Sequence, residues 1–190
     1  MTGSLPATEF EALRDHLLTH SVKRGDFVLK SGQKSSWFID SKQTVCRPES
    51  MVLVAEGVLS VLPPEVNAIG GLTMGADPVT FITAGVAATR GRLLKAFSVR
   101  KVAKDHGGGG RIAGALDPGD RVVVTEDTVS RGTSLLEAAH AVIEAGAVPA
   151  LLVAIVDRGG TVEAMAAAEG LSFRALVTAP DLGFEYEGGA

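Results

Sequence analysis

The sequence predicts an α/β fold, a parallel sheet flanked by helices with a small N-terminal hood, and three observations carry that expectation. From about residue 64 the hydrophobic pattern reads strand, helix, strand, loop, strand, helix, strand, helix, strand. Its strands are continuous apolar runs such as "DRVVVTE" and "PALLVAIVDR", the pattern of strands covered on both faces. The chain has 190 residues, 46% of them apolar but only 5% aromatic, so it can fill a core, chiefly with Val, Leu, Ile and Ala. A single domain over 1–190 is expected, with the hood in about 1–45 and the α/β core in about 64–180.

Each element has its own signal. Thr8 with Glu11 fits a capping box, and Phe10, Leu13 and Leu17 follow at helical spacing, giving a first helix to about His20. "FVLKSGQKSSWFID" reads as two short strands around a Ser-Gly turn. Pro48 suits an early helical position and opens a second helix through about Leu62. "NAIGG" is a short buried strand, followed by a turn and a helix from Pro78 to about Arg90. "LLKAFSVR" is a strand, whereas "KVAKDHGGGGRIAG" shows neither period and reads as a loop. After the strand "DRVVVTE" comes a helix from Ser134 to Glu144, stopped at Gly146. "PALLVAIVDR" is a strand, "TVEAMAAAE" a helix stopped by Gly170, and "SFRALVT" the last strand. The terminal "DLGFEYEGGA" is expected to pack in part through Phe184 and Tyr186.

Composition excludes several functions. A net charge of −4 gives no support for nucleic-acid binding. Cys46 is the lone cysteine, which rules out an intrachain disulfide, and no Cys/His cluster has zinc spacing. The N-terminus lacks a signal-peptide pattern, and no apolar run approaches the ~18 residues of a membrane span. A cytoplasmic protein without a membrane or nucleic-acid partner is expected.

In a parallel sheet, ligands sit at the carboxyl ends of the strands near a switch in strand order. That directs attention to Gly70–Gly75, Arg100–Arg111, Glu126–Ser134 and Asp157–Gly160. In "VVVTEDTVSRGTS" an apolar run leads into Glu126 and Asp127, then into small hydroxyl residues and Gly132 before a helix. Thr128, Val129, Ser130, Arg131, Gly132, Thr133 and Ser134 offer hydroxyls, backbone N–H groups and close approach, which together make a phosphate cradle. It is not a Walker A loop, because G-x-x-x-x-G-K-[ST] is absent. The two acids ahead of it suit metal ligation, helix capping or the vicinal hydroxyls of a ribose whose phosphate lies beyond.

The second motif is "RKVAKDHGGGGR", where Arg100, Lys101, Lys104 and Arg111 face only Asp105, and His106 adds partial charge. Such a segment fits a mobile cationic lid over a polyphosphate, or a solvated basic loop. No aromatic interleaving supports stacking on bases.

The 122–134 stretch resembles the phosphoribosyl diphosphate (PRPP) signature of type I phosphoribosyltransferases. R-K-x-x-K-D-H-G resembles the catalytic loop of the orotate phosphoribosyltransferase family, and "FVLKSGQKSSWF" and "IVDRGG" resemble two further family segments. The likeness spans Phe27 to Gly160 by motif and implies the type I phosphoribosyltransferase fold. It implies transfer of phosphoribosyl from PRPP to orotate, giving orotidine 5′-monophosphate and diphosphate in pyrimidine biosynthesis. It also implies Mg²⁺, held chiefly by substrate and water rather than by protein ligands, and a homodimer whose loop 100–111 partly serves the neighbouring site.

Residue by residue, the resemblance puts Glu126 and Asp127 on the ribose hydroxyls and Thr128 through Ser134 on the 5′-phosphate. Arg100, Lys101, Lys104 and His106 fall on the pyrophosphate, Lys30 near PRPP or orotate, and Phe38, with Ile39, on the orotate ring. Ser130 and Arg158 fall on orotate. Lys104, Asp127, Arg100 and His106 are thereby the catalytic candidates. Three departures stand out: Glu126 where many relatives have Asp, Ser130 where Thr is frequent, and Thr73-Met74 where a Tyr-Lys pair is common. The last removes a cation, leaving the N–H groups of Thr73 and Gly75 to meet an anion. A purine phosphoribosyltransferase would share the signature without needing Arg158. A PRPP-sensing regulator would add a DNA-reading module that is not legible here. A dinucleotide oxidoreductase is excluded because no strand is followed by G-x-G-x-x-G.

Overall fold

The computed structural model describes residues 6–28, 32, 34–104 and 110–188. Its main sheet has six strands: β3 (Ala68–Leu72), β4 (Lys95–Lys104), β5 (Gly110–Gly114), β6 (Arg121–Val129), β7 (Val148–Asp157) and β8 (Phe173–Thr178). They lie in the order β5-β4-β3-β6-β7-β8, with all neighbours parallel except the antiparallel edge pair β4/β5. From β3 the chain crosses to β4 on one side, then returns past β3 to β6 on the other. The switch in strand order therefore falls between β3 and β6, the place where such sheets bind ligands.

Helices cover both faces, as continuous apolar strands require. On one side α1 (Ala7–His16), α3 (Pro48–Val61) and α4 (Ala76–Thr89) meet Leu151, Val153 and Ile155 of β7. On the other, α5 (Thr133–Glu144) and α6 (Val162–Ala168) meet Val122 and Val124 of β6 and Leu152 and Ala154 of β7. The period of two in side-chain direction assigns these sets. Fully burying each such Val or Leu is worth about 1.5–3 kcal/mol. The hood is an antiparallel hairpin of β1 (Val22–Val28) and β2 (Lys34–Ile39), followed by the one-turn α2 (Lys42–Val45). Among the described residues no helix is long and apolar enough to cross a membrane.

Four expectations are corrected. α1 starts directly after Pro6, whose carbonyl accepts the N–H groups of Glu9 and Phe10, so Thr8 lies inside the helix and no capping box forms. Past His16 the chain continues as a π-helical turn, Leu17–Ser21. The strand expected at "LLKAFSVR" runs on through Lys104, so residues 101–104 and 110–114 are not loop but parts of the β4/β5 hairpin. Lys101, Val102, Ala103 and Lys104 are all exposed, and a hairpin wet on both faces carries no apolar alternation to read. Finally, β6 does not end at the acids: Glu126 pairs with Ala154, Thr128 with Val156 and Val129 with Asp157. The backbone ladder with β7 continues whatever the side chains carry.

Candidate active site

β6 delivers the acids to the switch point. Glu126 and Asp127 are 6% and 5% exposed and face the carboxyl end of β3. A Cβ on Gly75 would lie 2.1 Å from Glu126 Oε1 and 2.7 Å from Asp127 Oδ1, so only glycine lets that turn approach the pair. Lys42, on α2, donates to Asp127 Oδ2 at 2.6 Å. Burial alone would raise Asp127, but the Lys42 hydrogen bond and charge outweigh it and hold the carboxyl below its usual range. Burial, and then the neighbouring Asp127 charge, push Glu126 up to about 8. At neutral pH the pair therefore holds one ionised and one protonated acid.

That asymmetry has a thermodynamic sign. Glu126 keeps a proton that the unfolded chain releases above about 4.5, so this group makes stability fall as pH rises from about 4.5 to about 8, with no further change above. Glu126→Gln is expected to flatten that part of the Tm-against-pH curve in thermal melts. A variant that kept the wild-type slope would show that Glu126 does not hold the proton.

Beyond the acids, Gly132 (φ 76°) turns the chain into α5, and its Cβ would press on Val162 at 3.0 Å. The first turn of α5 carries no acid and no side-chain cap, so its N–H groups and dipole are free for an anion. Thr128, Val129, Ser130, Arg131, Gly132, Thr133 and Ser134 line a cleft of about 840 Å³, with Glu126 at its base. Lys23, Phe27, Val28 and Phe38 of the hood hairpin form the opposite wall. β2 alternates, so Phe38 faces out while Ile39 turns into the core; the expectation that Ile39 lines the ring site is corrected on that ground.

Arg158 closes the end of the cleft. Asp157 Oδ1 accepts the N–H groups of Gly159 and Gly160, both at 2.9 Å, and so fixes the turn that carries Arg158. The guanidinium lies over the Trp37 ring at 4.7 Å and donates from Nη2 to Trp37 O (3.0 Å), to Ser35 Oγ (3.1 Å) and to Glu187. Glu187 is brought there by the C-terminal tail, whose N–H groups at Glu187 and Gly188 donate to the carbonyls of Arg158 and Gly159.

The β4/β5 hairpin stands apart. Arg100 is turned to the carbonyls of Gly110 and Ile112, Arg111 pairs with Glu137, and none of Arg100, Lys101 and Lys104 lines this cleft. Lys30 and His106 lie outside the described residues. In the β3 turn, where the Thr73–Met74 peptide is cis, the Thr73 N–H donates to Val99 O at 2.9 Å. It is therefore not free for an anion, and Met74 points to solvent. Two functional neighbours escaped the sequence reading, Lys42 and Glu187. Neither sits in a motif, and only the tertiary fold sets them against Asp127 and Arg158.

No family model matches the chain. Named relatives do. It is 38% identical over 169 residues to the orotate phosphoribosyltransferase of a Synechocystis species, covering 88% of this chain and 85% of that one. It is 39% identical over 176 residues to that of Streptomyces avermitilis, covering 92% and 97%. Among solved structures, Mycobacterium tuberculosis orotate phosphoribosyltransferase in complex with PRPP superposes with a TM-score of 0.77 at 27% identity, over 94% of each chain.

Proposed function

This chain belongs to the orotate phosphoribosyltransferase family, and from that premise we propose that it transfers the 5-phosphoribosyl group of PRPP to orotate. The products are orotidine 5′-monophosphate and diphosphate, in the route to pyrimidine nucleotides. The observation that carries this reading is the joining, in one cleft, of Glu126 from the acid pair, an uncapped helix N-terminus behind Gly132, Phe38 and the Arg158 guanidinium.

In this reading the 5′-phosphate sits on the N–H groups of the 128–134 turn, and Asp127 with Glu126 receives the ribose hydroxyls. Lys42 keeps Asp127 ionised as a hydrogen-bond acceptor, while the protonated Glu126 lies beside it without adding a second charge. A ring nitrogen of orotate attacks the ribose C1, the bond to diphosphate breaks, the leaving group departs with the electron pair, and the proton of that ring nitrogen passes to the diphosphate or to water. Positive charge grows on the sugar, next to Asp127, and negative charge on the diphosphate. Arg100, Lys101, Lys104 and His106 meet that negative charge, in part from the neighbouring subunit of a homodimer; the placement of Arg100, Lys101 and Lys104 outside the cleft of their own chain supports the sharing. Orotate lies against Phe38, with Ser130 and Arg158 as polar partners. The enzyme is taken to act in the cytoplasm.

Mg²⁺ fits this donor set in a limited way. Glu126 and Asp127 are hard oxygen donors, but Lys42 already neutralises one of them, so the ion is carried chiefly by substrate oxygens and water. When bound, it supplies Lewis-acid stabilisation of the diphosphate.

The test is loss of orotate absorbance on adding PRPP and Mg²⁺, with hypoxanthine and adenine assayed alongside. Turnover of a purine and not orotate would overturn the substrate assignment. Asp127→Asn is expected to raise the KM for PRPP about tenfold and to slow turnover, the scale of one hydrogen bond to a charged group. PRPP affinity left unchanged would remove Asp127 from the ribose.

A further inference from the structure

Outside the lining of the cleft, where α1 meets α3, two histidines and a carboxylate converge. His16 closes α1 and His20 lies four residues on, in the π-helical turn Leu17–Ser21; their ring centroids are 4.3 Å apart. Glu49, in the first turn of α3, brings Oε1 to 3.9 Å from His16 Nε2. One ligand atom from each of His16, His20 and Glu49 lies within 4.8 Å of the others.

Two further observations distinguish this cluster from a chance meeting of polar side chains. His16 Nδ1 lies 3.1 Å from Thr44 Oγ1, which is itself 2.7 Å from Ser21 Oγ. Thr44 is held in turn, because Ser50 Oγ donates to its carbonyl at 2.6 Å. With Nδ1–H donating to Thr44, the lone pair of His16 is on Nε2. That nitrogen is buried and has no hydrogen-bond partner. A ring fixed through one nitrogen by a hydroxyl, with the other bare and facing ligand atoms, is the arrangement of a metal-bound histidine. The π-helical turn is the second observation. Such turns are rare and cluster at functional sites, and this one sets His20 beside His16.

We propose that His16, His20 and Glu49 form a binding site for a divalent transition-metal cation of the Zn²⁺ class, separate from the phosphoribosyl-transfer cleft. Two imidazole nitrogens and one carboxylate oxygen select Zn²⁺ or its first-row neighbours over Mg²⁺. Small side-chain rotations bring the three atoms to the ~2.0–2.2 Å that such bonds require, with water completing the shell. Arg47 is the competing charge: its Nη1 lies 3.8 Å from Glu49 Oε1, and binding moves Glu49 from that cation to the metal. Occupancy ties the π-helical turn to α3 across α2, the element that carries Lys42.

The experiment is calorimetric titration of chelator-treated full-length protein with ZnCl₂, in the presence of excess Mg²⁺. One equivalent is expected to bind, with a rise in Tm from linkage. His20→Ala and Glu49→Gln are each expected to weaken Zn²⁺ at least ~10-fold, the scale on which metal sites respond to lost partners. Both side chains are only partly buried or exposed, so the fold is kept, as circular dichroism would verify. Co²⁺ substitution should give absorption bands of nitrogen and oxygen ligation that vanish in His20→Ala. Absence of saturable Zn²⁺ binding, or binding untouched by both variants, would overturn the site. So would loss of binding in Cys46→Ser, since that exposed thiol is the chain's one thiolate ligand.

Discussion

Replacing Lys104 with alanine is expected to lower kcat at least ~10²-fold while changing PRPP affinity far less. The cleft explains the division. In the proposed reading, ground-state binding of PRPP rests on the 128–134 turn and the acid pair, and Lys104 does not line the cleft that the turn and Glu126 line. Lys104 ends β4 on a hairpin that projects beyond the sheet, with its side chain in solvent. A cation delivered from there acts on charge that grows only as diphosphate leaves. Removing a preorganised contact of that kind costs about 2.7–4 kcal/mol in the transition state. A loss confined to kcat and kcat/KM in equal measure is the signature to look for. Near-wild-type turnover would end the role. Arg100 makes a poorer test, because its guanidinium also braces the hairpin through the Gly110 and Ile112 carbonyls. If the hairpin serves the neighbouring subunit, mixed dimers of Lys104→Ala and Asp127→Asn chains should recover activity that neither variant has alone. Mixtures no more active than their parents would put each hairpin back on its own cleft.

The parallel core was legible because its strands are buried on both faces and its helices keep a period of 3.6; the apolar runs of β6 and β7 are those of strands covered on both sides. The acid pair and the turn behind it were legible for a different reason. Their chemistry is contiguous in sequence, so Glu126 through Ser134 could be read as one unit. Partners that come from distant segments were not. Lys42 sits 85 residues from Asp127, and Glu187 sits 29 from Arg158. Nothing local distinguishes either from a solvated charge. The far end of β4 and its return as β5 were missed because residues 101–104 are exposed, and exposed pairing leaves no hydrophobic period. The Thr73 N–H failed as an anion donor for the same reason, since its use by Val99 O is a matter of sheet register. Sequence reports what side chains must hide from water, and is largely silent on which polar groups have already found one another.

The Arg158–Glu187 pairing governs the second large effect: Arg158→Ala is expected to lower kcat/KM for orotate about 100-fold, with the KM for PRPP little changed. In the proposed reading orotate binds as an anion, and Arg158 lines the same cleft as Phe38. Its side chain is 7% exposed and that of Glu187 17%, so the pair is shielded from solvent screening. Truncating one member of a buried pair strands the other, at about 3–5 kcal/mol. A loss of stability will therefore accompany the loss of orotate binding, and Arg158→Ala alone does not separate them. Glu187→Gln does. It removes the competing charge while the stacking on Trp37 and the bonds to Trp37 O and Ser35 Oγ still hold the guanidinium in place. The freed cation should then bind orotate more tightly, lowering its KM as Arg158→Ala raises it. Opposite shifts in the two variants, measured at saturating PRPP, require Arg158 to meet the anionic base. An orotate KM that moves in neither variant would take Arg158 out of the orotate site and leave it as a brace between the hood and the C-terminal tail.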